Sequence, residues 1–113
     1  MSDTKVLFFS KFSQRLIANG HEVHIITGSM ETDEIKEHLR ELGIAWTHFF
    51  SVSDYLIAQG EHVTWSDEEN PWFEEKAWLG TKGMYCKEQG IDMHIDDSET
   101  YGAFFETLYV RVI

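Results

Sequence analysis

Helix-like and strand-like stretches take turns along this chain, and glycines close several of them. "SKFSQRLIANG" sets Phe12, Leu16 and Ile17 at helical spacing and stops at Gly20. "HEVHIITGS" reads as a strand, because Val23, Ile25 and Ile26 are β-branched and Gly28 breaks the run. The clearest helix follows. Ser29 or Thr32 can cap it, and Glu31, Asp33 and Glu34 lie where the helix dipole favours negative charge. Ile35, Leu39 and Leu42 form its apolar stripe, and Gly43 ends it. "IAWTHFFSV" is a strand, and "SDYLIAQG" is a short helix capped by Ser53 or Asp54. "EHVTWSDEENPW" is a loop with a brief strand at Val63–Trp65. Asn70-Pro71 then opens a long helix with proline in its first position, carrying Trp72, Leu79 and Cys86 on one side and ending at Gly90. Gly80 and Gly83 weaken that helix, each by roughly 1 kcal/mol relative to alanine. "IDMHI" is a strand, "SETYGAFF" a turn or short helix, and "LYVRVI" a final strand. Residues 5–9, "KVLFF", fit either a strand or a first helical turn.

This alternation calls for parallel strands joined by right-handed helical crossovers. The expected fold class is α/β: a three-layer α/β/α, Rossmann-like and mostly parallel sheet, in one domain spanning residues 1–113. Eight Phe, four Trp and four Tyr can supply much of its core. "LIANGHEV" (16–23) and "LIAQGEHV" (56–63) echo each other, but two short matches do not make a repeat.

Twenty acidic residues against nine basic ones give a formal charge of −11. With no basic stripe to release counterions, a nucleic-acid partner is not expected. The same field repels anionic ligands unless a cation screens it. Cys86 is the single cysteine, so neither an intramolecular disulfide nor a Cys-rich zinc site can form. No signal-peptide pattern and no membrane-length apolar run is present, which points to a cytoplasmic protein without a membrane partner.

Ligands of parallel α/β sheets collect at the carboxyl ends of strands. Two such ends carry chemistry here. "MHIDDS" ends in Asp96 and Asp97, and one or two carboxylates suffice for a hard cation that keeps its waters. The competing reading is a turn in which Asp97 or Ser98 caps the next helix. "HIITGS" ends in Thr27, Gly28 and Ser29, whose hydroxyls and free amides can hold a phosphate, or simply form a turn and a cap. Lys82 lies fourteen residues before Asp96, so a helix, a turn and a strand can fold it over the carboxylates; otherwise it is a surface lysine. The six histidines show no metal-ligand spacing on a helix and read as core or strand-edge residues. Cys86 reads as a small apolar packing residue.

Thr27, Lys82 and Asp96–Asp97, in that chain order and on those elements, resemble the haloacid dehalogenase (HAD) superfamily of phosphohydrolases. The resemblance covers roughly residues 12–110. It is nearest to a subgroup with stretches like "GHEVHIITG", "NPW…W…K…C" and "IDMHIDDS..Y". It implies a phosphate site at Thr27, Gly28, Ser29 and Lys82, and Mg²⁺ on Asp96 and Asp97. Yet HAD catalysis depends on a DxDx(T/V) motif, whose first Asp attacks phosphorus and whose second is the general acid/base. No DxD occurs in this chain. "TKVLFFSKFSQRL" aligns just downstream of that motif, so the nucleophile strand is missing or replaced. Residues 5–9 as a strand, "LYVRVI" in a new position, or a second subunit could fill the gap. In the first case Ser10 would fall near the absent aspartates. The expectation is a HAD-like protein without a nucleophile, binding a divalent metal or a phosphorylated small molecule but not hydrolysing it. The alternatives are a truncated or atypical Mg²⁺-dependent phosphohydrolase, and a homodimeric interaction protein.

Overall fold

The computed structural model describes residues 3–61, 63–67, 70–73, 75–96 and 108–111. The elements are α1 (Asp3–Ala18), β1 (His24–Thr27), α2 (Asp33–Glu41), β2 (His48–Ser51), α3 (Val52–Ala58), β3 (Val63–Asp67), β4 (Asn70–Phe73), α4 (Glu75–Glu88), β5 (Met93–Asp96) and β6 (Leu108–Arg111). The protein is mixed α/β. Among the described residues the strands form three pairs: β1–β2 parallel, β3–β4 antiparallel and β5–β6 parallel. The chain divides into two compact units, Met1–Asp54 and Tyr55–Ile113.

In the first unit "KVLFF" is helical and runs without a break into α1, so the strand option for residues 5–9 is corrected. No glycine or proline interrupts Asp3–Ala18, and polar side chains on one side of the helix find partners that a strand would not reach. Ser10 Oγ donates to Gly43 O (3.1 Å), Gln14 Nε2 to the same carbonyl (2.7 Å), and Ser13 Oγ accepts from Ala45 N–H (3.1 Å). Ser10 is therefore a tether for the turn after α2. Thr32, not Ser29, caps α2, its Oγ1 accepting from Ile35 N–H at 3.2 Å. The stripe residues Ile35, Leu39 and Leu42 are half-buried rather than buried. Lys36 and Arg40 lie over the rings of Phe49 and Trp46, each 5.3 Å from the centroid. β2 passes directly into α3, and Ser51 caps it by accepting from Asp54 N–H at 3.1 Å, so the expected caps Ser53 and Asp54 are instead its second and third residues.

Among the described residues all four helices close in the same way. The residue after the glycine donates to a carbonyl five positions back: His21 to Leu16, Ile44 to Leu39, Glu61 to Leu56 and Ile91 to Cys86. With the glycine N–H bonding three back and its φ positive, this is the Schellman end. The echo of "LIANGHEV" and "LIAQGEHV" has this cause: each is a helix end of that type leading towards a strand.

In the second unit the expected helix from Asn70 is corrected. Asn70–Phe73 is β4, paired with β3, and α4 begins at Glu75, so Trp72 lies off the helix. Two local rules compete at Asn70-Pro71. Proline suits a helix's first position, but it also drives the residue before it into extended backbone. Pairing decides for the strand, where proline's missing N–H is tolerated because every strand of a two-stranded sheet is an edge. α4 runs unbroken through Gly80 and Gly83. Leu108–Arg111 forms β6, parallel to β5, as the final strand expected there.

Among the described residues few side chains are buried: Ser13, Ile44, Ser51, Val52 and Ser53 in the first unit, and Leu56, Thr81, Tyr85, Cys86 and His94 in the second. Cys86 does pack as a buried apolar residue. The expected aromatic core is corrected in part. Tyr85 alone among the described aromatics is buried, and Phe8 and Trp65 are exposed.

Candidate functional site

In the second unit β5 mounts the first candidate site. Alternate residues share a face of a strand, so His94 and Asp96 project to one side. His94 Nε2 lies 3.1 Å from Asp96 Oδ2, and Lys82 Nζ, from α4, lies 2.9 Å from the same oxygen. The Lys82 and Asp96 side chains are only 12% and 9% exposed. The sequence spacing thus does bring Lys82 to Asp96, and Lys82 is not a surface lysine. Asp97 lies outside the described residues. Mg²⁺ fits this arrangement poorly: the Oδ2 of Asp96 already serves an ammonium and an imidazole, and the nearby ammonium repels a dication.

In the first unit Thr27 ends β1, in register with Ser51. Its Oγ1 accepts from Ser29 N–H at 3.1 Å. Ser51 Oγ donates to Ser29 O at 2.7 Å, and Ser53 Oγ donates to Gly28 O. Glu31 N–H is taken by the Asp54 carboxylate at 3.0 Å. Two of the amides that could cradle a phosphate therefore already have acceptors, and one of these is an anion. The turn reading accounts for the Thr27–Ser29 bond, and the other contacts come from side chains at the start of α3.

The other end of β1–β2 holds a cluster that the sequence reading passed over. His24 and His48 are register partners at the start of each strand, with rings stacked at 4.2 Å and 6°. Glu22 Oε1 lies 3.0 Å from His24 Nε2 and 3.6 Å from His48 Nδ1. Hydrogen bonding to His24, then the charge of His48, holds the exposed Glu22 carboxyl below its ordinary 4.5. Thr47 completes the setting. Its Oγ1 accepts from Val23 N–H (2.9 Å) and lies 2.9 Å from His48 Nδ1. The expectation that the histidines form no metal pattern is corrected, because one donor atom from each of these three side chains lies within 4.8 Å of the other two. The signal was present but non-local. β1 reads "HIIT" and β2 "HFFS", the same order of His, two apolar residues and a hydroxyl. Parallel pairing of like with like puts the two histidines side by side.

Comparison with known protein families, curated proteins and solved structures finds no match to this chain. Among the described residues no helix is long and apolar enough to cross a membrane.

Proposed function

We propose that this chain is a HAD-like protein without a nucleophile, which binds a phosphorylated small molecule and does not hydrolyse it. The reading implies a three-layer α/β/α, mostly parallel, Rossmann-like fold. The observation that carries it is the Lys82–Asp96 pair at the carboxyl end of β5. That is where parallel α/β sheets hold ligands. Shielding two charges from water is costly and their pairing only partly offsets it, and a lysine over a strand-end aspartate is the relation the resemblance implies. An ammonium has three donors, so one lysine can serve Asp96 and a phosphoryl oxygen together. Catalysis is not part of the reading, because no DxD is present to attack phosphorus.

The test has two arms. With an aryl phosphate and Mg²⁺, the protein should give no turnover above background. Phosphorus NMR with inorganic phosphate should show binding that weakens in Lys82→Met. Turnover abolished by Asp96→Asn would overturn the non-catalytic reading, and phosphate binding indifferent to Lys82→Met would overturn the site. A second reading, self-association, is favoured by the exposure of Leu7 (56%) and Phe8 (52%) on α1.

A further inference from the structure

We propose that Glu22, His24 and His48 form a three-ligand site for a divalent transition-metal ion of the zinc class, at the amino ends of β1 and β2. The inference is independent of the phosphate-binding reading and shares no residue with it. The donor set comes first. Two imidazoles and one carboxylate suit Zn²⁺ and its neighbours and leave a fourth position for water or a small anion. Spacing comes second. A tetrahedral ion with bonds of about 2.0–2.1 Å sets its ligands about 3.3 Å apart. Glu22 Oε1 stands 3.0 Å from His24 Nε2 and 3.6 Å from His48 Nδ1, on either side of that value. All three donor atoms lie within 4.8 Å of one another. Mounting comes third. The His24 side chain is 6% exposed and held by β1, whereas those of His48 and Glu22 are 48% and 68% exposed and can adjust.

The stacked rings make the inference sharper. A ligating imidazole directs its nitrogen lone pair along the plane of its ring. Two rings 6° from parallel and 4.2 Å apart cannot both do this towards one ion. Metal binding therefore turns the half-exposed His48 out of the stack, while His24, whose side chain is the better shielded, stays as the fixed ligand. Stacked rings shield each other's protons, so saturation should move histidine ring protons downfield. A charge cluster that merely neutralises Glu22 would show no such response to metal.

The experiment titrates the untagged full chain with Co²⁺ by absorbance, then competes with Zn²⁺. Excess Mg²⁺ serves as a control for unspecific attraction to the acidic surface. The expected result is one equivalent of Co²⁺ that Zn²⁺ displaces and Mg²⁺ does not, and, in the diamagnetic Zn²⁺ complex, histidine ring protons moved downfield. His48→Ala and Glu22→Gln should each weaken binding at least about tenfold, since even the outer-shell partners of metal ligands are worth that much. Both positions are exposed, so circular dichroism should show the fold retained in each. His38→Ala, an exposed histidine on α2 near Glu34 and Glu41, should bind as the parent does. The proposal is overturned if both ligand variants bind Co²⁺ like the parent, if Mg²⁺ displaces it, or if the ring protons stay in place at Zn²⁺ saturation.

Discussion

Cys86 shows how one residue's surroundings set its chemistry. It is fully shielded on α4, and burial pushes its thiol up from an ordinary 9.0 to about 11, with Lys82 pulling weakly the other way. Folded and unfolded chains therefore differ in bound protons between those two values. Above 9.0 the unfolded thiol has lost its proton while the folded one keeps it, so stability falls as pH rises towards about 11. The loss is at most about 1.4 kcal/mol per pH unit, and the full contribution is present below the unfolded value. Urea unfolding at stepped pH should show a steeper alkaline decline in the parent than in Cys86→Ala. Equal slopes would mean that the thiol is not held protonated by the fold. At this scale the sequence was informative about Lys82 and Asp96, because strand-end position and chain spacing are local properties. It was silent on Glu22, His24 and His48, because only the register of β1 on β2 brings those side chains together.

Elements in this chain are bounded by glycines with opposite sensitivities. Gly43 closes α2 at φ 80°, and a Cβ there would lie 2.5 Å from Ser10 Oγ. Gly43→Ala thus forces an L-residue into left-handed backbone and displaces the hydroxyl that tethers α1. The combined cost should be about 2–3 kcal/mol. Gly80 lies inside α4, where an added Cβ meets nothing within 4 Å. Gly80→Ala should stabilise by about 0.5–1 kcal/mol through the unfolded chain's lost freedom. Urea midpoints with unchanged m-values would measure both shifts, and a neutral Gly43→Ala would remove the tether argument. Helix ends were legible because the Schellman closure uses only neighbouring residues. The start of α4 was not, since Pro71 satisfies both a helix rule and a strand rule. The partner that settles the choice is β3, only two residues upstream, but a rule about proline's own position does not register it.

For the whole molecule, the alternation of helix and strand was legible, and the pairing of strands was not. The parallel partners β1–β2 and β5–β6 are chosen by contacts between strands separated by intervening chain, which is why residues 5–9 could be read as a filler strand although they belong to α1. That helix has consequences for the chain's behaviour in solution. Ser10, Ser13 and Gln14 turn towards Gly43–Ala45, so a polar face of α1 is the one engaged, and Leu7 and Phe8 stay exposed. Burying a Leu or Phe is worth about 1.5–3 kcal/mol, which favours pairing two such faces. The charge of −11 on each copy opposes it, and salt screens that repulsion, with a Debye length of about 10 Å at 0.1 M. The expected behaviour is a dimer whose dissociation constant falls as salt rises. Phe8→Glu removes one ring from each side of a symmetric contact, a loss of at least about 3 kcal/mol, or roughly a hundredfold in affinity. Light scattering across micromolar concentrations, at low and high salt, distinguishes the cases. A parent that stays monomeric at both salts would end the self-association reading. A dimer unaffected by Phe8→Glu would move the contact away from α1, to the strand edges whose backbone groups can pair with another chain.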